Sequence, residues 1–294
     1  MTFEKLINLL KFDTGSAEVL LNLDKNIEKS HSELYECLLN AYLESAEACV
    51  KLIRKSATII YINEELLGLW FSLKLMALRM HSNYCESGIE ECYFISASAN
   101  VCRYIAATED VTGKFGIMID RYVRALRHLI ELEAFRIGDF NFEFIRFDGS
   151  AQYGGEKIES GELCLSLHIP INSDICDENI ERNFSLAKEF FKKHFGMEKA
   201  FCQLYSWLIH PSIAEALPEE ARLVKLYKRF NLYEVKNDPY SPIEYVYGLK
   251  LAESYRLGDK SFDAYPEKTL LQRKFKERLI KGLPLGTAKG ITLL

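Results

Sequence analysis

The hydrophobic pattern of this chain changes period once, near Arg136, and that change limits what each half can fold into. A helix gathers residues three and four apart onto one face, a strand gathers alternate residues, and one segment cannot serve both. Before Arg136 the steps are helical. Leu34, Leu38, Leu39, Tyr42, Leu43, Ala46, Cys49, Val50 and Ile53 share one face, which predicts a single long helix that Ser30 or Ser32 can cap. Asn63 precedes a second apolar helix running to about Met80, and Gly88 separates it from a third over Ile89 to about Ala107. After the breaker at Gly113 comes a fourth stripe, Phe115, Met118, Ile119, Tyr122, Val123, Leu126, Leu129 and Ile130, with Asp120 and Arg124 spaced for a surface pair.

After Arg136 the period is two. Phe140, Phe142 and Phe144 alternate with Asp139, Asn141 and Glu143, and Leu163, Leu165, Leu167 and Ile169 alternate with Cys164, Ser166 and His168. These segments predict an antiparallel pair joined by a polar stretch and ended by Pro170, which has no N–H to give a ladder. A helix with Ile180, Phe184, Ala187, Phe191 and Phe195 on one face follows, then a strand near Ala200 to Trp207. Beyond a short helix and the basic ARLVKLYKRF helix, strands are predicted near Asn231 to Val235 and Ile243 to Gly248. A helix from about Thr269 to Lys281 and a short terminal strand complete the chain. The fold class is therefore α+β: an N-terminal helical bundle over 1–136 and a mixed-sheet domain over 137–294, packed together for want of a Pro/Gly/Ser-rich linker.

Charge and composition narrow the function. A net charge of -5 and a pI near 5.8 supply no field for polyanions, so no nucleic acid partner is expected. The most apolar stretch, Leu66 to Leu73, lies between Glu64/Glu65 and Lys74 and is too short for a membrane span of about 20 residues. The N-terminal MTFEKLINLLKFD has neither a basic leader nor a cleavage site, and a cytosolic protein is expected. The 8 cysteines are then expected as thiols, and without a CxxC or HxxxH spacing no metal is expected.

Several segments look familiar in order. LHIP at Leu167 to Pro170, AKEFF and HF at Ala187 to Phe195, SWLIHP with a following LP at Ser206 to Pro218, and the tail Pro266, Thr269, Leu271, Gln272, Arg273 and Gly282 resemble a bacterial GNAT-like acyltransferase family. Tyr84 with Gly88-Ile89 and FRIGDFNFE resemble the helical domain that such proteins carry ahead of it. The resemblance implies a GNAT-like C-terminal domain, with acyl transfer from acyl-coenzyme A to an amine acceptor. One departure matters. The loop that should hold the pyrophosphate reads INSDICDENIER, without glycine and with Asp174, Asp177, Glu178 and Glu181. Those acids also suit a helix N-terminus in their own right. A GNAT-derived binding or scaffold protein that has lost the cofactor is accordingly the alternative.

The candidate residues follow from the resemblance and their positions. His168, at a strand end opposite Leu163, Leu165 and Leu167, could take a proton from the acceptor, or could be a hydrogen-bonded structural histidine. Ser206 ends the next strand and could face the same cleft. Tyr227 sits where such enzymes keep a tyrosine to protonate the leaving thiolate, although it equally suits the packed face of an amphipathic helix. Thr269 and Gln272 have the spacing of a capping box. Arg273, in a first turn where a cation opposes the dipole, needs a compensating partner. With Lys268, Lys274 and Lys276 it makes a candidate seat for the cofactor's phosphates, a salt bridge to a carboxylate being the other reading.

Overall fold

Caps and glycines decide where the helices of the first half begin and end. The computed structural model describes residues 1–294 apart from Asn172, and divides them into two units, Met1–Ile137 and Gly138–Leu294. The first unit contains α1 (Phe3–Leu9), α2 (Thr14–Ser30), α3 (Leu34–Glu44), α4 (Ala46–Ile59) and α5 (Glu64–Leu75). A single π turn, Met76–Met80, carries α5 into α6 (His81–Glu86), followed by α7 (Glu91–Ser98), α8 (Asn100–Thr112), α9 (Ile119–Ile130) and the strand β1 (Ala134–Ile137).

The long helix expected through Ile53 is two helices. Ser45 between α3 and α4 is extended (φ -166, ψ 159), and its hydroxyl accepts the Ala48 N–H at 3.0 Å as the cap of α4. Apolar periodicity runs across the break because both helices bury the same stripe, Leu38 and Tyr42 before it and Cys49, Val50 and Ile53 after it. Ala99 likewise divides the third expected helix into α7 and α8, and α8 continues to Thr112, where Gly113 (φ 69) ends it. Asp120 and Arg124 do not pair with each other: Asp120 takes Arg54, and Arg124 takes Glu47. Inside the bundle Trp70 is fully buried, and its indole N–H donates to Asp24 at 2.8 Å, which also binds Lys74 at 2.8 Å. Among the described residues no helix is long and apolar enough to cross a membrane.

The second unit contains β2 (Phe140–Arg146), β3 (Ala151–Tyr153), β4 (Glu156–Ile158), β5 (Leu163–His168), α10 (Asp177–Phe195) and β6 (Phe201–Ser206). After the 3-10 turn Trp207–Ile209 come α11 (Ser212–Ala216), α12 (Arg222–Lys228), β7 (Asn231–Lys236), α13 (Tyr240–Tyr247), α14 (Leu249–Arg256), α15 (Leu270–Ile280) and β8 (Thr287–Leu293). In its main sheet β2, β5, β6, β8 and β7 lie side by side, with β5 and β6 parallel and the other neighbours antiparallel. This is a mixed sheet of the expected α+β class. The terminal strand β8 is not at an edge but between β6 and β7.

Two expectations in this half need correction. The polar stretch between β2 and β5 holds a hairpin of its own, β3 and β4, turned through Gly154 and Gly155 at positive φ as a two-residue turn requires. The segment Ile243 to Gly248 is not a strand but the body of α13. Its apolar residues are too few to separate period two from period 3.6. Pro242 decides for helix, being tolerated in a first turn where no N–H donation is needed and excluded from a central ladder.

Candidate active site

The site grows from a disagreement between ladders. β2 and β5 stay paired to the end, Asn141 opposite His168, and β6 and β8 stay paired to Ser206 opposite Ala288. Between β5 and β6 the pairing stops much earlier, after Leu165 with Cys202 and Ser166 with Gln203. Each strand therefore remains fixed to its outer neighbour while leaving its inner one. Beyond Ser166 and Gln203 the two strands open around a cleft of about 410 Å³, and Pro170 carries the chain off β5 at its edge.

Leu167, Ile169, Leu204 and Leu208 form much of the apolar wall, joined by Ile171 and Ile175 from the loop ahead of α10. The polar groups at the cleft are His168, Ser173, Ser206, Ser241 and Thr287, together with the hydroxyls of Tyr205 and Tyr245. Trp207 lines it too, stacked near Tyr245 with ring centres 6.3 Å apart and edge-on to the buried Phe275 at 6.0 Å. The hydroxyl of Ser206 accepts the Leu208 N–H at 3.2 Å and so starts the turn that brings Trp207 into place. The buried Ser173 Oγ has no hydrogen-bond partner among the described residues, although it borders the cleft.

His168 is held from behind. Its Nε2 lies 2.9 Å from Oε2 of Glu143, one pleat along β2. A carboxylate at that distance accepts the Nε2–H, and the neutral ring then keeps its lone pair on Nδ1. The carboxylate thus sets the tautomer and orientation of the ring.

His168 and Ser206 thus share one cleft, as the strand ends require. Tyr227 is not among its lining residues, and packs instead against the cluster of Ile213, Val224 and Phe275. Cys202 is fully buried, and burial pushes its thiol well above the ordinary range, so it forms no nucleophilic pair with His168.

The tail residues lie outside the cleft lining as well. Thr269 and Gln272 make a complete capping box at the start of α15, and the Gln272 amide also donates to the Val246 carbonyl at 3.2 Å. Arg273 meets its need for a partner through backbone oxygens, Glu267 O at 3.0 Å and Lys268 O at 3.4 Å, rather than through a carboxylate.

In the acidic loop Asn172 lies outside the described residues, and Asp174, Asp177 and Glu181 beyond it are matched by α12 and its C-cap Arg229. Arg222 reaches Asp174 at 3.0 Å, Lys225 and Arg229 reach Asp177 at 3.0 Å each, and Arg229 also binds Glu181. The backbone N–H of Cys176 and these cations hold Asp174 and Asp177 below the usual carboxylate range. The loop next to the cleft is therefore less negative than its sequence suggests.

Sequence reasoning missed Glu143, Ser173, Ser241, Tyr245 and Thr287. Glu143 had a signal, since it stands on the polar face of a strand with one buried face. Ser241 had none, standing between the two predicted strands, and neither had Tyr245 while Ile243 to Gly248 was read as a strand.

Comparison with known proteins supplies the context. The family described as the GNAT-like C-terminal domain matches residues 134–292. An acyltransferase variant solved with octanoyl-CoA shares the fold at a TM-score of 0.69 and 17% identity, over 99% of this chain and 87% of that one. An acyltransferase solved with decanoyl-CoA and teicoplanin matches at 0.67 and 17%, over 99% and 87%. Another, with decanoyl-CoA, matches at 0.60 and 18%, over 78% of this chain and 66% of that one. No curated protein matches the sequence.

Proposed function

The chain belongs to the family of the GNAT-like C-terminal domain, and on that premise we propose that it transfers an acyl group from acyl-coenzyme A to an amine, with the cleft between β5 and β6 as its active site. The observation that carries the proposal is the early end of the β5–β6 ladder. Backbone groups left without a ladder partner border a cleft of mixed apolar and hydroxyl lining, suited to the thioester arm and to polarising its carbonyl.

In this reading His168 is the general base, acting through Nδ1, and Glu143 positions it and stabilises the charge it acquires. The acceptor nitrogen forms a bond to the carbonyl carbon, its proton passes to His168, and the carbon–sulfur bond breaks. The departing thiolate recovers a proton from the cleft side. Tyr245 lines that side, and Ser206 borders the same space. Tyr227 would have to act from outside the lining. The acyl-transfer structures are similar in fold, and they are solved with octanoyl- and decanoyl-CoA, whose chains the apolar wall of Leu167, Ile169, Leu204 and Leu208 suits.

The second reading is a binding or scaffold protein, favoured by the glycine-free loop. Thermal unfolding with and without coenzyme A and acyl-coenzyme A separates the two. A ligand at about 100 times its Kd stabilises by roughly 2.7 kcal/mol. Stabilisation with appearance of amide product supports the enzyme, whereas no shift with any coenzyme A species supports the scaffold.

A further inference from the structure

We infer that the acceptor is a weakly basic amine that enters as its uncharged form, and not a polyamine or a lysine side chain. The inference rests on the acyl-transfer reading above. Its observation is the charge of the cleft: among the described residues, the lining contains no aspartate, glutamate, lysine or arginine. The polar side chains are one imidazole, the Trp207 indole and a set of hydroxyls, beside the backbone groups freed where the β5–β6 ladder ends.

The charged groups next to that lining are already engaged. Glu143 is hydrogen-bonded to His168 at 2.9 Å. Lys236 and Lys289 lie 6.0 and 5.9 Å from the ring centre of Tyr205, and they are bound to Glu234 at 3.1 and 3.0 Å, with Lys289 also held by Asp148 at 2.6 Å. An ammonium brought between these walls gives up its hydration and meets no carboxylate among the lining residues; the lysines at one rim are already paired with Glu234 and Asp148, and Asp174 beside Ser173 with Arg222. Binding therefore selects the free base, and each pKa unit of the amine above the working pH removes another factor of about ten from the competent population.

The reaction balances with an uncharged nucleophile. The amine's lone pair forms the carbon–nitrogen bond, its proton goes to Nδ1 of His168, the thioester carbon–sulfur bond breaks, and the thiolate takes up one proton. Amide and thiol are the products, and no other co-reactant is consumed.

The test is a panel of acceptors at neutral pH with donors from acetyl- to decanoyl-coenzyme A. Methoxyamine and aniline are the weakly basic members, benzylamine the strongly basic monoamine, putrescine and spermidine the polyamines. Formation of each amide is followed by mass spectrometry. The weakly basic amines are expected to exceed the polyamines in kcat/KM by at least about tenfold. Placing a carboxylate in the cleft with Ser241→Asp, or with Thr287→Asp should the first variant fold poorly, is expected to raise the putrescine-to-aniline ratio by at least about tenfold.

Preference for spermidine or putrescine in the parent protein, or an unchanged ratio in a folded carboxylate variant, overturns the inference while leaving acyl transfer intact. Donor binding without turnover of the weakly basic amines overturns it too. Absence of any thermal shift with every donor instead removes the acyl-transfer reading, and this inference with it.

Discussion

Removing the imidazole of His168 separates catalysis from folding, because the structure gives it little to do for stability. Its side chain is 53% exposed and that of Glu143 23%, and exposed pairs of this kind contribute at most about 1 kcal/mol. For a chain of this size that corresponds to a melting shift of no more than about 2–4 °C. Loss of a general base, by contrast, lowers turnover by about 10²–10⁴. Glu143→Gln removes the charge that stabilises the protonated ring. A hydrogen bond to a charged group contributes about 1.5–3 kcal/mol, so the expected loss is roughly 10- to 100-fold. If Glu143 acts through His168 as proposed, the double variant should be no slower than His168→Ala alone. The assay should read amide product by mass spectrometry, since Cys37, Cys85, Cys92 and Cys102 are exposed thiols that would consume a thiol reagent. A Glu143→Gln penalty of equal size with and without His168, or parental turnover in a folded His168→Ala protein, would refute the assignment.

Other outcomes follow from particular contacts. Asp24→Ala leaves the buried Trp70 N–H without its acceptor and Lys74 with Glu28 alone, and should cost about 3 kcal/mol in urea unfolding. A loss under about 1 kcal/mol would mean the site relaxes or admits water. His210 is 2% exposed, and burial holds its imidazole below the ordinary 6.5, against the opposing pull of the Asn237 hydrogen bond. Its contribution to stability is complete above that value and is lost as pH falls through the lower native one, because the unfolded chain then binds the extra proton. Unfolding curves at about pH 7.5 and about pH 5 should therefore diverge more for the parent than for His210→Asn, and equal divergence would exclude His210 as a source. Thr269→Ala opens the capping box and should cost about 1 kcal/mol with coenzyme A affinity unchanged. Should Arg273 hold a phosphate, Arg273→Ala weakens coenzyme A in a salt-dependent way by calorimetry; unchanged affinity at low salt removes it from the cofactor site.

The sequence by itself determined the two kinds of architecture, because periodicity records which face of an element is apolar, and that is a local property. The change near Arg136, the antiparallel partnership of the Phe140 and Leu163 segments and the helix from Thr269 were all legible in this way. Caps were legible where a short polar side chain can reach the next free N–H, as at Asn63 and in the Thr269–Gln272 box. Ser45 escaped notice because the apolar stripe runs straight through it, and Ile243 to Gly248 was misread because a short apolar run satisfies two periods at once.

The tertiary structure decided what the functional reading depends on. Pattern shows that a strand ends at His168 and another at Ser206; it does not show that their ladder stops at Ser166 and Gln203 while the outer ladders continue. Likewise the acids at Asp174, Asp177 and Glu181 read as a repulsive loop until Arg222, Lys225 and Arg229 are placed against them. The pairing of Glu143 with His168 joins residues 25 positions apart. Register and ion pairing are set by which distant segments share a space, and the energy of a charge or an unpaired backbone group depends on those neighbours rather than on the residues beside it in the chain.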